Sequence, residues 1–331
     1  MKKSLLLGLG LAVAMTTAAV AQDPVKIVYI GKNTGNPYFD SITGGFEDAC
    51  KAKGCEFEFV APATAEATSQ IPIIQAQIQR GVNVIGIAPN SPDALNQVLD
   101  KARAKGILVL TVNGDVTGNE DKRDATILPV NFDIVGRDQI EMVGSLIGYE
   151  GEIAILSATT EAPDQNKWIV GMNETLKSDP KYAKMTLVAT VYGDDQPEKS
   201  TTEMEALLAN FPNLKGVIAP TTVGIAAAAQ VVQSRGLAET VKVTGLGLPS
   251  EMRDFVKDGT VTAFQLWSPY NEGWLAVHFA LGLLDGSIKN EVGGTFEVPN
   301  LGMITINDKN SINTQAELTT FNAANIDEFD F

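Results

Sequence analysis

The chain has 331 residues, of which 44% are hydrophobic and 20% are charged, and its formal net charge at pH 7 is -15. The composition is that of a globular protein. The chain is longer than one hydrophobic core usually spans, so two domains are expected. The negative charge argues against a nucleic-acid-binding protein, because phosphate binding requires clustered Lys and Arg side chains.

Residues 1–21 have the three parts of a secretory signal peptide. Lys2 and Lys3 form a positively charged start, residues 5–13 form a short apolar run, and residues 19–21 carry Ala-Val-Ala, a small-x-small cleavage pattern. We therefore predict an exported protein whose mature chain begins at Gln22; a buried N-terminal helix is the alternative. No later apolar run reaches the roughly 20 residues that a transmembrane helix needs.

From residue 25 the chain alternates short β-branched runs with amphipathic stretches. The runs predict strands at 26–31, 57–60, 83–88 and 107–112, and the stretches predict helices at 38–53, 67–80 and 92–105. Ser91 as N-cap and Pro92 at the first helical position predict the start of the third helix. Glycines at 54, 81 and 106 predict helix ends. Apolar strands linked by helices indicate a buried parallel sheet.

Two cysteines, Cys50 and Cys55, lie near the end of the first predicted helix. An oxidising compartment favours a disulfide between them, and two free thiols are the alternative. The short loop would make the entropic gain small. Their spacing is not CxxC and the chain has one histidine, so we predict no metal site.

The alternation restarts at residue 152 and indicates a second α/β unit of similar size. Its predicted strands are 152–157, 185–192, 216–220, 241–247 and 261–267. Residues 126–133, between the two series, are predicted to cross from one unit to the other. Residues 296–331 lack the β/α rhythm and are predicted to pack across both units.

Ligands bind at the carboxyl ends of strands in open α/β sheets, so the residues after each predicted strand are the candidates. Tyr38 and Phe39 could stack on the CH surface of a sugar, and interdomain core is the alternative for both. Asp164 and its neighbours could hydrogen-bond to hydroxyls, with helix capping as the alternative for Asp164. The neighbours of Asp164 are Gln165 and Asn166. Further candidates follow other strands: Asn113, Gly114, Asp115, Trp267 and Ser268.

Enzyme signatures are weak in this sequence. Gly245 and Gly247 follow a strand as in a dinucleotide-binding loop, but the third fingerprint position is Ser250 and the next strand offers no acid for a ribose. His278 lies in an apolar helical pattern and is predicted to pack there. P-loop, HExxH and GxSxG motifs are absent from the sequence. We predict a binding protein without a cofactor, and an exported α/β oxidoreductase is a remote alternative.

The opening Asn36-Pro37-Tyr38-Phe39 resembles that of periplasmic sugar-binding proteins of ABC importers, in the ribose-binding-like group. The stretches ILSATTEAPDQNKWIV, TVYGDD, IAPTTVGIAAAAQ and VTGLGLPSEM are similar to rhamnose-binding proteins, and the ending NIDEFDF is similar to these and to autoinducer-2 receptors. A repressor of the same architecture would need a helix-turn-helix where this chain has the predicted signal peptide.

The resemblance implies the type I fold of periplasmic binding proteins: α/β, with two Rossmann-like parallel-sheet lobes joined by three crossovers near 129–133, 264–268 and 298–303. It implies an N-terminal lobe of 22–130 plus 267–299 and a C-terminal lobe of 131–266 plus 300–331. The lobes would close by hinge motion on a monosaccharide. A periplasmic location, a monomeric state and delivery to an ABC transporter permease are also implied.

The likeness to autoinducer-2 receptors implies ligand contacts from Lys32, Asp164, Gln165 and Pro220. Aspartates of those receptors are replaced by Asn113 and Ser268 here, and an alanine by Thr222, so buried ligand hydroxyls would lose strong acceptors. We therefore expect L-rhamnose or another deoxy or small sugar, with autoinducer-2 or a short polyol as the alternative. The expected binding residues are Lys32, Asn36, Tyr38, Phe39, Asn113, Asp164, Gln165, Asn166, Pro220, Thr222, Trp267 and Ser268.

Overall fold

The computed structural model describes residues 23–331, so the predicted signal peptide and Gln22 lie outside the described residues. The strands are β1 (Lys26–Ile30), β2 (Glu56–Val60), β3 (Val84–Ile87), β4 (Leu108–Val112), β5 (Ala125–Leu128), β6 (Glu150–Ser157), β7 (Lys184–Tyr192), β8 (Leu214–Ala219), β9 (Lys242–Gly245), β10 (Ala263–Leu266), β11 (Thr295–Val298), β12 (Gly302–Thr305), β13 (Ser311–Asn313) and β14 (Thr319–Asn322). The α-helices are α1 (Tyr38–Lys53), α2 (Ile71–Arg80), α3 (Asn96–Ala104), α4 (Phe132–Ile147), α5 (Pro163–Ser178), α6 (Pro197–Asn210), α7 (Thr222–Ser234), α8 (Pro249–Lys257) and α9 (Pro269–Asp285).

The first sheet consists of six parallel strands in the order β13-β5-β4-β3-β1-β2. Alternate residues of β1 belong to two different cores, because strand side chains alternate between the faces of a sheet. Tyr29 packs on one face against Phe46 of α1, with ring centroids 5.0 Å apart. Val28 and Ile30 belong to the opposite core, which includes residues of α2 and α3. Burial on both faces explains the continuous apolar runs in the sequence.

The second sheet has four parallel strands in the order β7-β6-β8-β9. A parallel bridge between Leu246 and Gln265 places β10 beside β9, and β14 pairs with β10 in antiparallel orientation. The predicted strands of this unit all occur, with bounds that differ by a few residues. The α/β prediction with two parallel sheets is therefore confirmed.

Two of the predicted helices begin later than expected. Ser91 Oγ accepts hydrogen bonds from the N–H groups of Asp93 and Ala94, but these close a turn that precedes α3 by several residues. The second helix begins at Ile71 rather than at 67. Buried Gln70 holds the chain just before it, because its side-chain amide donates to the carbonyls of Gly31 and Ala88.

The chain passes three times between the two sheets. It crosses between β5 and α4, between β10 and α9, and again after β13. The tail packs across both units as predicted, since β13 pairs with β5 and β14 pairs with β10. Two expectations need correction. Residues 126–128 of the predicted crossover belong to strand β5. The third crossover, expected near 298–303, comes after Asn313 instead, because residues 298–302 close the hairpin of β11 and β12 and β13 still belongs to the first sheet.

Helix α9 follows a strand of the second unit but packs on α1 of the first. The two helices approach closely at glycines: a Cβ atom on Gly45 would lie 2.0 Å from the Tyr270 carbonyl oxygen, and one on Gly273 would lie 2.1 Å from that of Ile42. His278, further along α9, packs as predicted, with Nδ1 2.9 Å from the Trp274 carbonyl oxygen. Among residues 23–331, no helix combines the length and the apolarity needed to cross a bilayer.

The Sγ atoms of Cys50 and Cys55 are bonded to each other in the structure, between the last turn of α1 and the start of β2. We expect purified protein, denatured without reductant, to show no alkylated cysteine in its intact mass. After reduction both cysteines should react, which is the matched control. Two alkylated cysteines before reduction would contradict the disulfide.

Candidate ligand-binding site

A cavity lies between the two sheets at the carboxyl ends of their strands. Its space free of protein atoms, including the open mouth, is about 360 Å³. Side chains that follow β1, β4, β6, β8 and β10 all reach it, as parallel strands in facing sheets require. Ten of the twelve expected residues line it: Lys32, Asn36, Tyr38, Phe39, Asn113, Asp164, Gln165, Pro220, Thr222 and Trp267.

A buried ion pair crosses this cavity from one unit to the other. Lys32 Nζ lies 2.6 and 2.7 Å from the two carboxylate oxygens of Asp164, and 3.2 Å from Gln165 Oε1. The side chains of Lys32 and Asp164 are only 4% and 1% exposed. The carboxylate of Asp164 thus bonds across the cleft rather than capping its own helix. A second contact across the cleft joins Thr222 Oγ1 to Asn36 Oδ1 at 3.2 Å.

Aromatic rings from both units form the apolar part of the cavity wall. The rings of Tyr38 and Phe39 meet edge to face with centroids 5.6 Å apart. Trp168 of α5 and Trp267 after β10 meet in the same way at 5.8 Å. Rings beside a charged, hydrogen-bonding cluster suit a ligand that has an apolar face and a polar edge.

The hydroxyl of Tyr38 is the centre of a buried hydrogen-bond network behind the cavity. It donates to Glu272 Oε1 at 2.8 Å, and it accepts from Asn113 Nδ2 and Trp267 Nε1, each at 2.6 Å. Glu272 has no solvent exposure, and burial raises its pKa well above the usual value for a glutamate. Sequence reasoning missed Glu272, because an acid in the first turn of a helix is expected from the helix dipole alone.

A second carboxyl group, that of Asp195, lines the cavity from the unit of the second sheet, across from Lys32. It follows β7 and accepts a hydrogen bond from the Thr221 hydroxyl. Burial raises the pKa of Asp195. The strand-end rule could have found this residue, since β7 was predicted within a residue of its observed bounds. Other lining residues that the sequence analysis missed are Trp168, Thr221, Leu246 and Leu266.

Two expected residues do not reach the cavity. Each residue along a helix points about 100° away from the one before it, so Asn166 does not face the cavity as Gln165 does. Its side chain donates to the Thr160 carbonyl at 2.8 Å instead. Ser268 is the N-cap residue just before α9 and lies at a separate surface depression. The glycine pair considered for a dinucleotide also has another role: a Cβ atom on Gly245 would lie 1.9 Å from the Ala219 carbonyl oxygen, so this position serves close strand packing.

Comparison with known proteins identifies the class to which this fold and cavity belong. Residues 27–288 match the family model described as a periplasmic binding protein domain. The chain therefore belongs to the periplasmic binding protein family, a family of substrate-binding proteins rather than enzymes. This family implies a periplasmic location.

Three relatives illustrate the similarity. A sugar ABC transporter protein from Actinomyces odontolyticus is 41% identical, with a TM-score of 0.74 over 93% of this chain and 98% of its own. An ABC transporter solute-binding protein from Clostridium phytofermentas, solved with bound L-rhamnose, is 35% identical, with a TM-score of 0.87 over 92% of this chain and 98% of its own. The D-ribose/D-allose-binding protein of Pseudomonas aeruginosa is 25% identical over 86% of this chain and 90% of its own.

Proposed function

We propose that this protein binds a monosaccharide in the periplasm and delivers it to the permease of an ABC importer, with L-rhamnose or a related deoxy or small sugar as the ligand. The observation that carries the proposal is the cavity between the two sheets, where Lys32, Asp164 and Gln165 face an aromatic wall. Polar groups would bond to sugar hydroxyls while the rings cover the CH face. L-Rhamnose is the first ligand to test, because the Clostridium phytofermentas relative was solved with that sugar bound.

The two sheets would act as lobes that close on the ligand. We propose an N-terminal lobe of residues 23–130 with 267–313, and a C-terminal lobe of 131–266 with 314–331, following the observed crossings. The ion pair of Lys32 and Asp164 spans the two lobes, so its geometry depends on closure. A monomer with one surface per lobe would then meet the permease only when both surfaces are correctly spaced.

Autoinducer-2, or a short polyol, is the second candidate. Lys32, Asp164, Gln165 and Pro220, the residues shared with its receptors, all line the cavity. Only two of the three departures from those receptors lie in the cavity, Asn113 and Thr222, because Ser268 is outside it. Loss of the carboxylate at 113 removes a strong acceptor for ligand hydroxyls, which counts against autoinducer-2.

Calorimetric titration of refolded, ligand-free protein would test the proposal. We expect a Kd of about a micromolar or lower, roughly -8 kcal/mol, for L-rhamnose. L-Mannose, which carries one more hydroxyl at C6, is the matched control and should bind more weakly if the apolar wall receives the methyl group. Tight binding of autoinducer-2 alone would replace the sugar with the second candidate. Absence of heat with every monosaccharide tested would contradict the proposed ligand class.

A further inference from the structure

The Tyr38 hydroxyl has used all of its hydrogen-bonding capacity. A phenol has one donor and accepts two hydrogen bonds at most. The indole N–H of Trp267 can only donate, so it fills one acceptor position. The proton of Tyr38 must then go either to Glu272 or to Asn113.

Glu272 decides between these two directions. A carboxylate can only accept, so the Tyr38 proton points to Glu272 Oε1, and Asn113 must offer its NH2 group to the Tyr38 oxygen. The direction is the same for the neutral acid when its proton is on Oε2, an atom that is buried and has no protein partner among the described residues. Asn113 lines the cavity, and Oδ1 is then the atom of its amide left to meet a ligand.

We infer that Glu272 is a specificity-determining positioning residue, which acts through Tyr38 to turn the Asn113 amide so that its oxygen accepts a hydrogen bond from the ligand. The chain thus keeps an acceptor at a position where it lacks the aspartate of autoinducer-2 receptors. The carboxyl group of Glu272 lies one layer behind the cavity. This inference rests on the proposed sugar-binding function.

Glu272→Leu tests the direction of the network. A leucine cannot accept a hydrogen bond, so the Tyr38 proton is free to turn to Asn113 Oδ1 and the Asn113 NH2 group to face the cavity. We expect sugar affinity to fall about tenfold or more. The double variant Asn113→Asp with Glu272→Leu should recover affinity, because a carboxylate at 113 accepts on both oxygens without help from residue 272.

A ligand-free measurement separates this inference from the proposed function. With asparagine side chains labelled with ¹⁵N, one NH of Asn113 should exchange slowly with solvent in the wild type, because it is bonded to Tyr38; its signals are assigned by their loss in Asn113→Asp. The slow exchange should disappear in Glu272→Leu. If the wild type bound no sugar, the proposed function would fail while this result remained readable.

Tyr38→Phe provides a second variant in case Glu272→Leu folds poorly. It removes the hydroxyl and keeps the ring, so the protected Asn113 NH should be lost here too, and adding Glu272→Leu should reduce affinity no further. Unchanged Asn113 exchange in Glu272→Leu would overturn the inference. An exchange rate that changes while sugar affinity does not would also overturn it, and so would an equal loss from Glu272→Leu with and without the Tyr38 hydroxyl.

Discussion

Replacing Asp164 with alanine is expected to weaken sugar binding by about tenfold or more, while the free energy of unfolding of the ligand-free protein changes little. Lys32 would lose its partner in the closed cavity, where an uncompensated charge is costly, about 3–5 kcal/mol when a buried pair is broken. The pair spans the two proposed lobes, so opening the cleft lets water solvate the ammonium. The cost therefore falls on ligand-bound closure rather than on folding.

Calorimetric titration and urea unfolding of the same Asp164→Ala preparation would separate the two effects. Glu150→Ala is the matched control, since its exposed ion pair with Lys184 has side chains 66% and 74% exposed. We expect that variant to change both quantities by less than about 0.5 kcal/mol. An unchanged sugar affinity in Asp164→Ala would place the ligand elsewhere, and a large loss of ligand-free stability would assign the pair to the fold.

Substitution of Gly45 by alanine is expected to lower the free energy of unfolding by about 3 kcal/mol. The added methyl group would meet the backbone of α9, at 2.0 Å from the Tyr270 carbonyl oxygen and 2.8 Å from the Trp274 nitrogen. Backbone atoms cannot turn aside as side chains do, so the two helices would have to move apart. Overpacking of this kind costs about 1–3 kcal/mol and occasionally more.

The neighbouring Gly44→Ala supplies the control for Gly45→Ala. A Cβ atom there would meet only the Tyr270 side chain, at an ordinary 3.8 Å. Because alanine favours a helix over glycine by about 0.8–1 kcal/mol, we expect Gly44→Ala to be neutral or stabilising in urea unfolding. Similar effects of the two substitutions would show that α1 and α9 can separate without cost.

The sheets could be predicted from the sequence because they are buried on both faces. Residues 84–88 are all apolar and residues 107–112 include a single threonine, and a strand covered on both faces favours that composition. The start of α2 could not be predicted, because it depends on hydrogen bonds from Gln70 to the backbone carbonyls of Gly31 and Ala88, which follow β1 and β3. The short strand β13 has three residues and no apolar run, so its place in the first sheet follows from tertiary pairing alone.

The candidate site was predictable where position in the chain determines position in space. Residues directly after strands, such as Asn113 and Pro220, share one edge of a sheet, and the structure brings them to the cavity. Helix residues were harder, because the direction of each side chain depends on the turn: Gln165 faces the cavity and Asn166 does not. The role of Glu272 could not be predicted from the sequence, because it depends on three hydrogen bonds that meet at the Tyr38 hydroxyl.

The C-terminal tail gives this fold a high contact order. The Thr314 hydroxyl bonds to the Pro129 carbonyl across 185 positions of the chain, and β13 and β14 complete both sheets. Contacts between such distant segments slow folding. A nascent chain therefore keeps both sheets incomplete until residues 311–322 have been synthesised, whatever has already formed from the earlier strands.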